Sequence, residues 1–325
     1  MECVDVLLAT YNGEKYLREL LDSIVNQSYK NIRILICDDC STDQTYEVLK
    51  KFGNKDKRIV LFKNEINIGS DKTFEYLMSK VESNFFMIAD QDDVWYLDKI
   101  EMSLKKLYEE DADLVFTDLE VVDKNLNLIS NSFNKTMKYN YKIKKYINDG
   151  YKMELLSNVI TGCTILAKKK WINSFLPIPN NKNILYDYWI GLVIALNGKL
   201  AYLDKPTLKY RQHENNQVGT KKYTDTLDTF EKVREYLIDL RIQNFETFIE
   251  RENIFNESQK KNNILALNYY KTIKFKKYIN FNSIIKFHNL YKYERIGVYL
   301  PLLFIMNFPS IAKLIYNFRN LIKRM

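Results

Sequence analysis

The sequence predicts an α/β fold in which helices cover both faces of a parallel sheet, followed by a helical C-terminal region. In residues 1–123, apolar runs of strand length alternate with segments of helical apolar spacing. The hydrophobic share of 46% is enough for a large core and excludes a disordered chain. The length of 325 residues predicts about two domains, and strand signals end near residue 219. We therefore expect domains at residues 1–219 and 220–325.

Five strands and four helices alternate in the first part of the chain. The strands are predicted at Val4–Thr10, Ile32–Asp38, Arg58–Lys63, Phe85–Ala89 and Asp113–Val122. The helices are predicted at Glu14–Gln27, Asp43–Phe52, Asp71–Val81 and about Trp95–Tyr108. Strands joined through helices run parallel with right-handed crossovers, so their carboxyl ends meet at one edge, where ligands bind in such sheets.

The alternation is weaker between residues 124 and 219. The polar segment Ser130–Tyr151 is predicted to lie at the surface. Thr161–Ala167 is predicted as a strand and Tyr186–Leu196 as a helix. Two short strands are predicted at Leu200–Leu203 and Thr207–Arg211, and beyond about Thr220 the pattern is helical and amphipathic.

Polar and acidic side chains follow the ends of the first four strands. These segments are Thr10-Tyr11-Asn12, Asp38-Asp39, Asn67-Ile68-Gly69 and Asp90-Gln91-Asp92-Asp93. Helix N-termini at the same edge attract anions, but gathered carboxylates repel them unless a cation lies between. A nucleoside diphosphate bound with a divalent metal ion satisfies both requirements.

The segment Asp90-Gln91-Asp92 is an Asp-x-Asp motif directly after an apolar strand. Mg²⁺ prefers oxygen ligands and typically takes one or two carboxylates together with phosphate oxygens. Asp is also a common helix cap, but one acid is sufficient for a cap. Three acids at the end of a buried strand favour a metal–nucleotide site.

Other chemically active residues give weaker signals. Cys37-Asp-Asp-Cys40 has redox spacing, but the chain has no second such pair and only two histidines, which disfavours zinc. His213 lies in a polar stretch that is equally compatible with a surface position. Trp189, two residues after Asp187, is the candidate among the tryptophans for stacking on a sugar.

The positive charge of the chain is concentrated in its C-terminal region. Residues 216–325 carry 19 basic and 10 acidic side chains, whereas residues 1–215 carry 30 and 31. A basic tail on a neutral body indicates an anionic partner. We expect an anionic membrane surface and no nucleic acid, because no nucleic-acid-binding module is recognisable. A helical lid with solvated lysines is the alternative.

The sequence offers no candidate for a spanning helix or a secretory leader. No uncharged run is long enough to cross a membrane as an uninterrupted apolar helix. The first residues lead directly into a strand pattern, so a reducing cytoplasmic location is expected. The basic tail could bring the protein to the inner face of the plasma membrane.

Several motifs in succession resemble the signatures of family 2 glycosyltransferases with the GT-A fold. They are Leu8-Ala-Thr-Tyr-Asn12, Asp38-Asp-Cys-Ser-Thr-Asp43, Asn67-Ile-Gly69 and Asp90-Gln-Asp-Asp93. Tyr186-Asp-Tyr-Trp189 resembles the His-Asp-Trp-Trp element of bacterial rhamnosyltransferase-like members, and Tyr210-Arg-Gln-His213 resembles their Tyr-Arg-x-His element. The resemblance covers about residues 3–219, and in it Tyr186 and Tyr188 depart from the usual His and Trp.

The resemblance implies a GT-A fold, which is a Rossmann-like, mixed but mostly parallel sheet with helices on both faces. It implies a bacterial enzyme that transfers a sugar, rhamnose among the candidates, from a dTDP- or UDP-linked donor with inversion. The acceptor would be a carbohydrate or lipid-linked hydroxyl in cell-surface polysaccharide or glycoconjugate synthesis. Residues 1–123 would form the nucleotide-sugar half of the catalytic domain and residues 124–219 the acceptor half.

The resemblance also implies roles for individual residues. Those bordering the nucleotide sugar would be Thr10, Tyr11, Asn12, Asn67, Gly69 and Gln91. Asp38 or Asp39 would hydrogen-bond the base, and Asp90 would meet the ribose or a metal-bound water. Asp92 would bind Mg²⁺ or Mn²⁺.

The remaining implied roles concern the acceptor side. Asp187 would be the general base, and His213 would close over the diphosphate or complete the metal shell. Tyr186, Trp189 and Arg211 would contact the acceptor or the sugar. The alternative function is a nucleotide-sugar-binding module without turnover, but both carboxylates that such a module would lose, Asp92 and Asp187, are present.

Overall fold

The computed structural model describes residues 2–137, 139, 143, 147, 158–214, 216 and 230–275. The chain forms two compact units. One comprises Met1–Asn180 with Ile184–Gln217, and the other comprises Asn181–Asn183 with Val218–Met325.

A single mixed sheet organises the first unit. Its described strands are β1 Val4–Thr10, β2 Ile32–Asp38, β3 Ile59–Lys63, β4 Phe85–Ala89, β5 Val94–Trp95, β6 Leu114–Val122, β7 Leu128–Ser130, β8 Leu166–Lys168 and β9 Leu200–Arg211. The strand order is β3-β2-β1-β4-β8-β6-β9-β5, and β7 pairs with β6. The strands β3, β2, β1 and β4 are parallel neighbours, which aligns their carboxyl ends.

Helices connect and cover these strands. The described helices are α1 Leu17–Val25, α2 Thr45–Lys55, α3 Ser70–Ser79, α4 Lys99–Glu110, α5 Phe133–Thr136, α6 Ile172–Phe175, α7 Tyr186–Asn197, α8 Phe230–Glu250 and α9 Glu257–Phe275. Short 3₁₀ turns lie at Gly162–Thr164, Lys169–Trp171 and Glu252–Ile254.

The core lies between the sheet and these helices. Strand β4 is buried along its whole length, as expected for an inner strand of a parallel sheet. Helix α1 buries Leu17, Leu20, Leu21 and Ile24, which is the helical apolar spacing seen in the sequence. The strands and helices of the first part are therefore confirmed, with helix ends shifted by a few residues.

The sheet is mixed but mostly parallel, as the family resemblance implies. Strand β8 inserts between β4 and β6 and is antiparallel to both. The expected strand Thr161–Ala167 is shorter than predicted, because Gly162–Thr164 form a 3₁₀ turn. The two short strands predicted after α7 are one irregular strand, β9, whose register with β6 shifts near Pro206. Proline has no N–H to donate to a neighbouring strand.

The segment Ser130–Tyr151 is described only in part. Its first residues form the end of β7 and α5, and most of its residues beyond Met137 lie outside the described residues.

The second unit is helical where it is described. Helices α8 and α9 share an aromatic core in which the rings of Phe245 and Tyr270 are stacked with centroids 5.9 Å apart. Ion pairs join Lys271 to Glu246 and Lys274 to Asp239. The described residues contain no helix with the length and apolarity needed to cross a bilayer. Most of the basic tail, residues 276–325, lies outside the described residues.

Candidate active site

Three carboxylates lie where β4 ends. The side chain of Asp93 is fully buried, and its Oδ2 has no hydrogen-bond partner among the described residues. Ligand atoms of Asp90, Asp93 and Cys163 all lie within 4.8 Å of one another. An ionised buried carboxylate oxygen without a donor costs free energy, and burial raises the pKa of Asp93 well above its ordinary range, which favours the protonated form.

Asp92 points toward the segment that follows β9. His213 Nε2 lies 2.8 Å from Asp92 Oδ2, and Asn216 Nδ2 donates to the same oxygen at 3.0 Å. The side chain of Asp92 keeps 16% of its surface exposed, and its Oδ1 accepts no hydrogen bond from the described residues. The structure thus brings together Asp92 and His213, the two expected metal ligands.

Arg211 supports this arrangement from inside the protein. Its side chain is 2% exposed, its Nε donates to the backbone oxygen of Asp92 at 2.8 Å, and it forms an ion pair with Glu19. Its guanidinium lies over the ring of Tyr16 at 4.4 Å, and that ring also contacts the ring of His213. The expectation that Arg211 contacts the acceptor or sugar is wrong, because its buried guanidinium bonds to Asp92 O, Lys124 O and Glu19.

Asp187 lies in the first turn of α7. Its Oδ1 accepts from Tyr188 N at 2.7 Å and Asn158 Nδ2 at 3.1 Å, and its Oδ2 accepts from Gly162 N at 3.1 Å. Burial raises the pKa of Asp187 to about 6, against the opposing effect of these hydrogen bonds. A carboxylate with this pKa is largely ionised at neutral pH and is matched to accepting a proton there.

Tyr186 joins the start of α7 to the end of β4. Its hydroxyl donates to Asp90 Oδ1 at 3.3 Å, and its ring packs on Phe74 with centroids 4.3 Å apart. A Cβ atom at position 162 would lie 2.4 Å from the Tyr186 hydroxyl oxygen. Glycine is therefore required at Gly162, where the chain passes between Tyr186 and Asp187.

Trp189 does not face the site. Its side chain is 1% exposed, and its Nε1 donates to the backbone oxygen of Phe175 at 2.8 Å. Helix α7 is buried almost all round, so this indole packs in the core. The expected sugar-stacking role of Trp189 is wrong.

The acids at the end of β2 are held internally. Asp38 is fully buried and accepts from Thr10 Oγ1 at 3.1 Å, Ser41 Oγ at 2.6 Å and Ser41 N at 3.0 Å. These three bonds tie the Asp38 carboxylate to the ends of β1 and β2. Thr10 is also buried, and it supports the site through Asp38 without bordering a ligand directly.

Asp39, the other base-binding candidate, is also buried. Its Oδ1 accepts from Asn64 Nδ2 and Ile68 N, and its Oδ2 accepts from Gly69 N at 2.8 Å. One lone-pair position of Oδ2 therefore remains. Gly69 has a φ of +84°, and Asn67 Nδ2 donates to the backbone oxygen of Asp39 at 3.3 Å. These bonds fold the loop after β3 over Asp39.

The loop after β1 is tied to the Asp-x-Asp motif. Tyr11 N donates to Gln91 Oε1 at 2.9 Å, and Gln91 Nε2 donates to Tyr11 O at 3.0 Å. The Tyr11 side chain is 45% exposed. Asn12 has a φ of 46° and accepts from Thr42 N at 2.9 Å. Tyr11, Asn12 and Gln91 thus lie together at this edge of the sheet.

Electrostatic repulsion and burial shift the titration of the β4 acids. Burial, with the nearby charges of Asp92 and Asp187, raises the pKa of Asp90 to about 7. Burial lowers the pKa of Lys99 to about 8, while Cys163, Asp93 and Asp90 oppose that lowering. The Lys99 ammonium donates to Cys163 O at 2.9 Å. Such shifts are typical of functional sites.

These residues fit a divalent cation. The partly exposed carboxylate of Asp92 supplies the hard oxygen donors that Mg²⁺ and Mn²⁺ prefer. Burial and the neighbouring carboxylates raise the pKa of Asp90 to about 7, and an added positive charge would stabilise the ionised form of that acid.

Sequence reasoning did not assign roles to Asp93, Cys163, Lys99, Gly162 or Asn216. Asp93 was visible within the acidic motif, and Asn216 lies three residues after His213. The other three residues reach the site only through the fold, and no local pattern marks them.

The sequence and fold were compared with known proteins. A family model described as Glycosyl transferase family 2 matches residues 5–173. A dTDP-rhamnosyl transferase, RfbG of Shigella flexneri, is 33% identical over 224 residues, covering 65% of this chain and 73% of that protein. WfgD of Escherichia coli is named a UDP-Glc:alpha-D-GlcNAc-diphosphoundecaprenol beta-1,3-glucosyltransferase. It is 24% identical over 226 residues, covering 68% of this chain and 81% of that protein.

Solved structures are similar in fold. TarS 1-349 of S. aureus, in complex with UDP-GlcNAc, has a TM-score of 0.53 at 18% identity, covering 89% of this chain and 79% of that one. The mannosyltransferase PcManGT of Pyrobaculum calidifontis, in complex with GDP-Man and Mn²⁺, has a TM-score of 0.52 at 14% identity. It covers 97% of this chain and 86% of that one. These similarities confirm the predicted GT-A fold.

Proposed function

The chain belongs to glycosyl transferase family 2, and from that premise we propose that it transfers a sugar from a nucleoside-diphosphate donor to an acceptor hydroxyl with inversion. The observation that carries the proposal is the half-buried Asp187, held by three hydrogen bonds and linked through its neighbour Tyr186 to Asp90. This arrangement supports a role for Asp187 as a base next to the carboxyl end of β4, where the diphosphate would bind.

Asp187 is the proposed general base. Its carboxylate takes the proton of the acceptor hydroxyl as that oxygen attacks the anomeric carbon. The sugar passes through an oxocarbenium-like state, as in glycoside hydrolysis, and the anomeric configuration inverts in this single displacement. No covalent sugar–enzyme intermediate is needed, so the reaction requires no second carboxylate beneath the sugar. General-base assistance of this kind contributes about 10²–10⁴-fold to rate.

A divalent ion, Mg²⁺ or Mn²⁺, is the proposed cofactor, and Asp92 and His213 would hold it. When bound, it supplies positive charge that offsets the negative charge developing on the departing diphosphate. Tyr186 orients Asp90 through its hydroxyl, where Asp90 would face the ribose or a metal-bound water. Arg211 and Asn216 keep the segment after β9 close to Asp92.

The loops after β1, β2 and β3 form the proposed nucleotide edge. Tyr11 is exposed and adjacent to Gln91, which favours contact with the donor. Asp39 has a remaining acceptor position for the N–H of uracil or thymine. The 33% identity with a dTDP-rhamnosyl transferase favours a dTDP-linked rhamnose donor, and a UDP-linked hexose is the alternative that WfgD suggests.

The proposed acceptor is carried on a lipid or a growing polysaccharide. The name of WfgD includes a diphosphoundecaprenol-linked acceptor, and the C-terminal region of this chain is basic. Each Lys or Arg near an anionic membrane surface adds about 1 kcal/mol of attraction. We place residues 220–325 at the inner face of the plasma membrane on this basis, with residues 1–219 as the catalytic domain.

A donor screen tests the proposal. The protein would be incubated with dTDP-rhamnose and a panel of UDP-sugars without acceptor, and release of the nucleoside diphosphate would be measured. We expect slow hydrolysis of one donor, abolished by EDTA and restored by Mn²⁺ or Mg²⁺. NMR of the released sugar should first show the anomer opposite to that of the donor. Retention of configuration, or undiminished hydrolysis in EDTA, would contradict the mechanism.

A further inference from the structure

The side chain of Asn216 connects Asp92, the last residue of β9 and His213. Its Nδ2 donates to Asp92 Oδ2 and to the backbone oxygen of Arg211, both at 3.0 Å. Its Oδ1 accepts from His213 N at 2.5 Å. The amide therefore uses its donors and its acceptor at the same time, which fixes its orientation.

The two oxygens of Asp92 are held differently. Oδ2 accepts from both His213 Nε2 and Asn216 Nδ2, whereas Oδ1 accepts no hydrogen bond from the described residues. A carboxylate held by one oxygen presents the other in a fixed direction. Hydrogen bonds to ligating carboxylates orient them in metal sites, and removing such a partner typically costs about 10–100-fold in metal affinity.

We propose that Asn216 is a positioning residue for a divalent cation: it fixes the Asp92 carboxylate and the His213 turn so that Oδ1 of Asp92 faces the cation. This inference rests on the proposed metal dependence. If His213 breaks its hydrogen bond to Asp92 in order to ligate the cation, the Asn216 amide still donates to Asp92 Oδ2 and keeps that oxygen in place. Asn216 also closes the turn that carries the imidazole, so both proposed ligands depend on this one amide.

The test compares Asn216→Ala, Asn216→Ser and wild type in Mn²⁺ binding. Free Mn²⁺ would be measured by electron paramagnetic resonance with protein saturated with UDP or, separately, dTDP. The alanine variant should bind Mn²⁺ about 10-fold or more weakly, and the serine variant, with one shorter donor, should be intermediate. Asn26→Ala is the matched control, because that amide is exposed and bonds only locally to Asp22 O. It should bind Mn²⁺ as wild type does.

A kinetic readout separates positioning from general damage to the fold. The Mn²⁺ concentration for half-maximal sugar transfer should rise about 10-fold in Asn216→Ala, while kcat at saturating Mn²⁺ recovers to within about threefold of wild type. Excess metal cannot restore a disrupted fold, and the melting temperature of the metal-free variants checks this independently.

The outcomes distinguish this inference from the proposed function. Wild-type Mn²⁺ affinity in a folded Asn216→Ala protein would overturn the role of Asn216 alone, as would a low kcat that saturating Mn²⁺ does not raise. Should Asn216→Ala not fold, the intermediate affinity expected of Asn216→Ser decides the question, and wild-type affinity in that variant overturns the inference. If wild type itself binds no Mn²⁺ with either nucleotide, both the metal site and this inference are wrong.

Discussion

Strands β2 and β4 both end in consecutive acids, yet the two sets have different surroundings. Asp38 accepts three hydrogen bonds from Thr10 and Ser41, and Asp39 accepts three from the loop after β3. At the end of β4, Asp93 Oδ2 has no partner among the described residues, and burial raises the pKa of Asp90 to about 7. The acids at β2 are bonded to the neighbouring loops, whereas those at β4 have fewer protein donors around them.

The difference follows from which donors lie nearby. The end of β2 is surrounded by hydroxyls and by the backbone N–H groups of Ser41, Ile68 and Gly69. The end of β4 faces other acids, a thiol and the one buried ammonium group found there, that of Lys99. Charge at β4 is therefore balanced only in part by the described protein groups, and a divalent cation would complete the balance.

The largest expected effect concerns Asp187, which accepts three hydrogen bonds but has a raised pKa. Asp187→Asn keeps the shape and one hydrogen-bond-accepting oxygen but cannot accept a proton. Transfer should fall by about 10²–10⁴-fold, while donor affinity, measured by calorimetry, stays within about threefold of wild type. A variant that transfers sugar at the wild-type rate would leave Asp187 with only a structural role at the start of α7.

The pH dependence of sugar transfer is the next test, and below the pKa of the base the rate should fall about tenfold per pH unit. Because the pKa of Asp187 is raised to about 6, the reactive carboxylate form is lost as the pH falls through 6. The rate should therefore be level above pH 7 and decline below 6. The rate of Asp187→Asn should lack this decline. An identical profile for both proteins would assign the titrating group elsewhere.

The raised pKa of Asp187 favours activity at high pH but folding stability at low pH. In the unfolded chain the pKa of Asp187 is near its ordinary value of 3.8, whereas in the folded protein the carboxyl stays protonated up to about pH 6. Its contribution to the free energy of unfolding is fully present below pH 3.8 and is lost as the pH rises through 6. The metal-free protein should therefore melt at a lower temperature at pH 8 than at pH 5.5, and Asp187→Asn should reduce this difference.

The smallest expected effect on catalysis comes from Asp38→Asn, the same type of substitution made at the end of β2. Asp38→Asn removes one acceptor from a buried network, so the free energy of unfolding should fall by about 1–3 kcal/mol. The rate per folded molecule should change by less than about threefold, because Asp38 does not face the ligand edge. Chemical denaturation measures the first quantity, and transfer at 20 °C, well below melting, measures the second. A rate loss of about 10²-fold without loss of stability would contradict the structural assignment of Asp38.

Much of this could be predicted from sequence, where the signal is local. Strands β1, β2 and β4 were predicted residue for residue, because buried strands next to turn residues have a clear pattern. The acidic motif stood out for the same reason, whereas the role of Asp187 came from the resemblance to family 2 glycosyltransferases. The insertion of β8 between β4 and β6 could not be predicted, since it depends on pairing between segments far apart in the chain.

Side-chain direction was the other limit. Trp189 lies two residues after Asp187, but on a helix this rotates the indole toward the core, where it bonds to Phe175. Arg211 lies at the end of β9, two residues before His213, yet its side chain points into the protein and donates to the backbone oxygen of Asp92. The contact between His213 and Asp92 spans 121 residues, and only the completed sheet brings these residues together.

The central claim is that the β4 acids bind a divalent cation while the β2 acids do not. Mn²⁺ binding to wild type, Asp92→Asn and Asp38→Asn, each saturated with UDP or dTDP, tests this claim most directly. We expect Asp92→Asn to bind Mn²⁺ at least about 100-fold more weakly than wild type. Loss of a residue that only supports a metal ligand already lowers metal affinity by about 10–100-fold. Asp38→Asn should stay within about threefold of wild type. Equal Mn²⁺ affinity in wild type and Asp92→Asn would contradict the account.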